Sequence, residues 1–140
     1  MKRLVFLSVA IGALMIGSVA WTSTAATDIQ KRKAVMNFDN PVKVQGVVLQ
    51  GKYLFVHDDA AMKRGDACTR IYKGDAEIAD KLVTSFHCIP TARAKVTHFT
   101  VRSIETSPGV VEMREFQFVG ETEGHGVPAA PITAVVPVVN

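Results

Sequence analysis

Val42-Lys43-Val44-Gln45-Gly46-Val47-Val48-Leu49-Gln50-Gly51-Lys52-Tyr53-Leu54-Phe55-Val56 is the stretch that decides the fold class. Its apolar runs are short, β-branched or aromatic, and broken by glycine. They do not recur at helical spacing, so they read as strands. Gly46 interrupts the first run, Gln50-Gly51 reads as a tight turn, and Tyr53-Leu54-Phe55-Val56 reads as a buried strand. The same texture continues in both directions. Upstream, Val35-Met36-Asn37-Phe38 stops at Asp39-Asn40-Pro41. Downstream, residues 58–66 read as a polar loop with room for one helical turn, and residues 68–72 as a strand ending in the turn Lys73-Gly74-Asp75. Residues 78–82 begin in helical style, residues 83–89 return to β character, and Pro90 ends that strand.

Residues 95–104 alternate, with Val96, His98, Thr100 and Arg102 on one face and Phe99 and Val101 on the other. Ser107-Pro108-Gly109 is a turn signal. In the last long strand, 110–119, the apolar phase slips: Val111 and Met113 are odd-numbered, Phe116 and Phe118 even. A slipped period-2 pattern predicts a β-bulge near Arg114-Glu115. Residues 120–126 read as a polar, mobile segment. Residues 127–140 are apolar but carry three prolines, which predicts an extended tail packed on the domain or on another subunit. The expected fold is all-β, a single antiparallel β-sandwich or flattened barrel over residues 34–119, with a linker at 27–33 and a Pro/Val-rich tail at 120–140.

Lys2 and Arg3 precede an apolar run over residues 4–20, followed by Thr22-Ser23-Thr24-Ala25-Ala26. A charged start, an apolar middle and small residues at a cleavage point form a secretory signal, with cleavage after Ala25 or Ala26. The run is also long enough, at the lower limit, for an uncleaved membrane anchor. Either way residues 27–140 work outside the cytoplasm, in the periplasm, cell envelope or extracellular space. Without Lys2 and Arg3, 14 of the 16 Lys/Arg face 13 Asp/Glu. The exported part is close to neutral and has no basic stripe, which argues against nucleic-acid binding. Lys31-Arg32-Lys33 is the one basic cluster and reads as a solvated linker, or as a contact to anionic lipid if the leader is retained.

Cys68 and Cys88 are the two cysteines. In an oxidising compartment an even count predicts a disulfide, and closing a loop of about 20 residues contributes roughly 3 kcal/mol. No Cys-x-x-Cys redox or haem pattern is present. His57-Asp58-Asp59, His87, His98 and His125 offer metal-ligand chemistry but lack paired spacing such as His-x-His. They read as solvated groups at a strand end and half-buried sheet residues. Ser85 and Ser103 lack a nucleophile-elbow setting, and Gly120, Gly124 and Gly126 precede no helix that would cradle phosphate. The aromatics, one or two per strand, read as core. The sequence assigns no catalytic residue, metal ligand or cofactor.

The segment from Phe38-Asp39-Asn40-Pro41-Val42 through Gly46-Val47-Val48-Leu49 to Gly51-Lys52-Tyr53-Leu54-Phe55 resembles one in small exported β-rich envelope proteins of bacteria, with the pattern F-x-x-P-V, G-x-V-L, G-x-Y-x-F. The chain departs from that pattern in having Gln45 before Gly46, in having Gln50-Gly51 where the pattern has a Pro-Ala-Gly turn, and in having the two cysteines. The resemblance implies a small envelope β-domain and carries over no active site. The expectation is a non-catalytic exported protein acting through protein contacts, as an accessory subunit of a membrane-bound or extracellular assembly, with membrane association through residues 4–20. The alternative is a periplasmic module that binds a small ligand or a metal.

Overall fold

The computed structural model describes residues 30–130; the expected leader and the end of the tail lie outside the described residues. Eight strands follow one another: β1 (Lys31–Val44), β2 (Val47–Asp58), β3 (Thr69–Lys73), β4 (Leu82–Phe86), β5 (Ile89–Ala92), β6 (Thr100–Ser107), β7 (Val110–Gln117) and β8 (Glu123–Gly126). One short helix, α1 (Asp59–Arg64), and a 3-10 turn at Ala79–Lys81 interrupt them. The chain is β-rich as expected, but it does not form two packed sheets. A single curled sheet runs β4-β3-β2-β1-β7-β8-β5, with β6 added on β7. It is also mixed rather than antiparallel, because β1 and β7 run parallel at Lys43 and Glu112. The reason lies in β1. With 14 residues it pairs along β2 and then with β7, which joins both halves into one surface. Strand pairing reaches beyond residues 34–119 on both sides, to Lys31 and Gly126.

The hairpin reversal falls on Gln45-Gly46, not on Gln50-Gly51. Both turn residues have positive φ (49° and 80°), and Val44 pairs with Val47. Two positive φ values in a two-residue loop match the twist of the strands it joins. Gln50-Gly51 instead lies inside β2, opposite a bulge. Phe38 pairs with Gly51 and Val42 with Leu49, so Asp39, Asn40 and Pro41 bulge against Gln50. The bulge absorbs Pro41, which has no N–H for the ladder. The slip expected in β7 is present: Arg102 pairs with Glu115 and Ser103 with Met113, leaving Arg114 as the extra residue.

Pro90 does not end a strand. It lies within β5, an edge strand paired only with β8, where a missing N–H is tolerated. Residues 123–126, expected to be mobile, form β8. Gly124 and Gly126 fit there because a Cβ on Gly124 would lie 2.5 Å from Glu115 Oε1, and one on Gly126 would lie 3.1 Å from the Ile89 carbonyl oxygen. The core gathers Phe38, Leu49, Tyr53, Phe55, Ile71, Phe86, Met113, Phe116 and Phe118. Of the tail, Val127 packs on that core and its N–H donates to the Arg114 carbonyl at 2.8 Å.

Asp58 ends β2 and starts α1: its carboxylate accepts from Ala60 N (2.9 Å) and Ala61 N (3.1 Å), which holds it below the usual carboxylate range. Asp58→Ala is expected to lower stability by about 1 kcal/mol in urea unfolding, with Asp58→Asn retaining most of the cap. Glu115 is held low in pKa by hydrogen bonds from Arg93, with Arg102 also donating to it. Gly124→Ala must displace that clamped carboxylate and is expected to cost about 1–3 kcal/mol in the same measurement.

Candidate metal centre

Successive residues of a strand point to opposite faces, so His57 shares its face with Tyr53 and Phe55 and enters the core. Its side chain is fully buried. Arg32 of β1 and Thr69 of β3 flank it across the ladder. The expectation of a solvated strand end is corrected here: the helix cap at Asp58 turns the chain away only after His57 is inside. Cys68 immediately precedes β3, and Cys88 lies in the break between β4 and β5. Both are buried. Thr69 pairs with Phe86, and this brings the two cysteines together as expected. They are nevertheless free thiols, with Sγ atoms 3.2 Å apart, whereas a covalent bond would hold them at about 2.0 Å. The backbone N–H of Cys88 donates to Cys68 Sγ at 3.2 Å.

The third element is β8. His125 lies opposite Phe116 on β7 and Pro90 on β5, and is fully buried. Its ring stacks on Phe116 (centroids 5.1 Å apart, planes at 21°) and meets Phe118 edge-on. The two imidazoles lie 4.3 Å apart. Both turn Nδ1 toward one sulfur: Cys88 Sγ is 3.7 Å from His57 Nδ1 and 3.6 Å from His125 Nδ1. These three donor atoms all lie within 4.8 Å of one another. A tetrahedral ion with metal–sulfur and metal–nitrogen bonds of about 2.3 and 2.0–2.1 Å separates S and N donors by about 3.5 Å. Both sulfur–nitrogen separations are therefore within a few tenths of an ångström of ligating geometry.

The far sides of both rings face carboxylates. His125 Nε2 hydrogen-bonds Glu121 Oε2 at 3.3 Å. Asp59 Oδ1 is 3.1 Å from His57 Nε2, but off the direction a ring N–H requires, so that nitrogen makes no hydrogen bond. Arg32 ties the carboxylates together, donating to Asp59 Oδ1 and Oδ2 at 3.0 and 3.2 Å and pairing with Glu121. Carboxylates behind the rings orient imidazoles and raise their basicity toward a metal. An open depression lined by Arg32, Lys95, Glu121 and Glu123 lies on the solvent side of this layer.

Burial, the largest cause, pushes both histidines down to about 4; for His57 the neighbouring His125 adds to it, and for His125 the Arg32 charge does. Both rings are thus neutral at pH 7. Burial also pushes the Cys88 thiol up to about 12, with the hydrogen bond to Cys68 adding to it. Burial raises Glu121 as well. A dry thiol beside two neutral imidazoles is a poor nucleophile and a good cation trap, because an incoming ion replaces the proton and offsets the cost of burying the thiolate.

The other polar candidates do not join this group. Asp58 caps α1, His87 is exposed with Nδ1 2.8 Å from the Asp66 carbonyl oxygen, and His98 is exposed beside Thr97. The chain matches no family model, no curated protein and no solved structure.

The histidine shifts have a signed consequence for the metal-free protein. Each folded-state pKa (about 4) lies below the ordinary 6.5, so the unfolded chain binds more protons between those values. The stability held above pH 6.5 is then lost as pH falls toward 4, by up to about 3 kcal/mol per imidazole. Urea unfolding between pH 7.5 and 4 should show this slope, and His57→Gln should flatten it.

Proposed function

We propose that this chain is a transition-metal-binding module of an exported protein, with His57, Cys88 and His125 as ligands. The observation that carries the reading is the convergence of two Nδ1 atoms on one buried sulfur. Imidazole and thiolate donors suit zinc and copper, whereas magnesium and calcium require oxygen. Charge favours a divalent ion. One thiolate with Asp59 and Glu121, set against Arg32, leaves two negative charges around the site, the carboxylates lying on its partly exposed side. Export is supported by the Lys2-Arg3 start, the apolar run and the small residues before residue 27. The reading of action through protein contacts draws on the apolar run at 4–20 and the apolar tail; among the described residues it finds scattered exposed apolar side chains, Val35, Val48, Ile104 and Val119 among them.

Elemental analysis and native mass spectrometry of the full chain, purified without air and under reductant, should give one zinc or copper ion per chain. Cobalt(II) titration should produce a thiolate-to-metal charge-transfer band. His57→Ala and His125→Ala should each weaken binding by about 100-fold or more, and Glu121→Gln by about 10-fold. A reduced chain that takes up no stoichiometric ion overturns the reading.

A further inference from the structure

Cys88 has two partners that cannot use it at once. Two imidazoles face its sulfur at 3.6 and 3.7 Å, and Cys68 Sγ touches it at 3.2 Å. Cys68 is not one of the three mutually close donors, and its own sulfur accepts the Cys88 N–H. We propose that Cys68 is a resolving thiol that makes metal retention redox-dependent: oxidation joins Cys68 to Cys88 and removes the only sulfur ligand, releasing the ion. This rests on the metal-binding reading above.

The chemistry balances with a low-molecular-weight disulfide as oxidant. Once the segment around Cys88 opens to water, its sulfur is no longer in the dry setting that makes it a poor nucleophile; the Cys88 thiolate leaves the ion and attacks RS–SR, forming a Cys88–SR mixed disulfide and expelling RS⁻. Cys68 then gives up its proton and attacks Cys88 Sγ, expelling a second RS⁻. The products are the Cys68–Cys88 disulfide, the free ion, and two RS⁻ that share one proton. The two electrons lost by the cysteine sulfurs reduce the external disulfide. The sulfurs need to close by only about 1 Å to reach bonding distance. Access comes through local opening of the segment around Cys88, which leads into an edge strand and follows the exposed His87. By linkage, an ion that binds only the dithiol form shields both cysteines from the oxidant.

The test compares cobalt(II) binding by the full chain in reduced and disulfide-treated forms, with mass spectrometry counting free thiols. The expected result is loss of both thiols on oxidation, a fall in cobalt(II) affinity of at least about 100-fold, recovery on re-reduction, and slower thiol loss when cobalt(II) is bound first. Cys68→Ser should bind cobalt(II) within about threefold of wild type and keep it after the oxidant is removed; Cys68→Ala replaces it if serine at this dry position prevents folding. Equal binding by the oxidised and reduced chains overturns the switch while leaving the metal site standing. Loss of the charge-transfer band in both reduced Cys68 variants also overturns it, making Cys68 a ligand. No cobalt(II) uptake by the reduced wild-type chain overturns both readings.

Discussion

The pairing of β8 with β5 and β7 is the constraint on which the site depends. β5 has no other partner in the sheet, and the chain enters it directly from Cys88. β8 therefore fixes the sulfur from one side and supplies the His125 imidazole from the other. The register that sets His125 opposite Phe116 also gives the ring its stacking surface. Two glycines make such close pairing feasible, because side chains there would strike Glu115 and the backbone at Ile89. A strand of four residues is short for its role, and the Arg93–Glu115–Arg102 network beneath it adds charge-assisted hydrogen bonds.

Burying three good ligand atoms has an energetic cost that the protein alone does not fully offset. Polar groups removed from water need compensating hydrogen bonds, yet His57 Nε2 has none, and the Cys88 sulfur has a close partner only in Cys68, at 3.2 Å, with both imidazoles farther off at 3.6 and 3.7 Å. Nearby, Arg32 binds both Asp59 and Glu121 and keeps the carboxylates from being an uncompensated pair. The arrangement is poor as a purely structural core and coherent as a site in which a cation supplies the missing favourable interaction.

The strands were legible because they follow local rules. The aromatic run at 53–56, the turn at Pro108-Gly109 and the bulge at Arg114 all announce themselves within a few residues. The meeting of Cys68 with Cys88 was legible because both adjoin paired neighbouring strands, although the expected bond is absent. The candidate metal centre was not legible, since its three side chains come from β2, the β4–β5 break and β8, at sequence separations of 31 and 37 from Cys88. Paired spacing marks a site only when two ligands share one turn or strand. The one local signal was Gly124-His125-Gly126, which suggested mobility by composition. A histidine between two residues without side chains is equally a strand that must lie close against its neighbours.

A site assembled from such distant elements ties metal affinity to global folding. Each ligand is held by a different long-range pairing, so the donors converge only when the sheet has closed. Ion binding to the closed form then adds directly to folding free energy, because the unfolded chain offers no preformed cage. A disulfide between Cys68 and Cys88 acts from the opposite direction: it restricts the unfolded chain and leaves the native donor set incomplete. The ion and the disulfide can therefore both stabilise the same fold while excluding each other at one sulfur. The sheet can then persist in either redox state, while the Cys88 sulfur remains available to metal only in the reduced one.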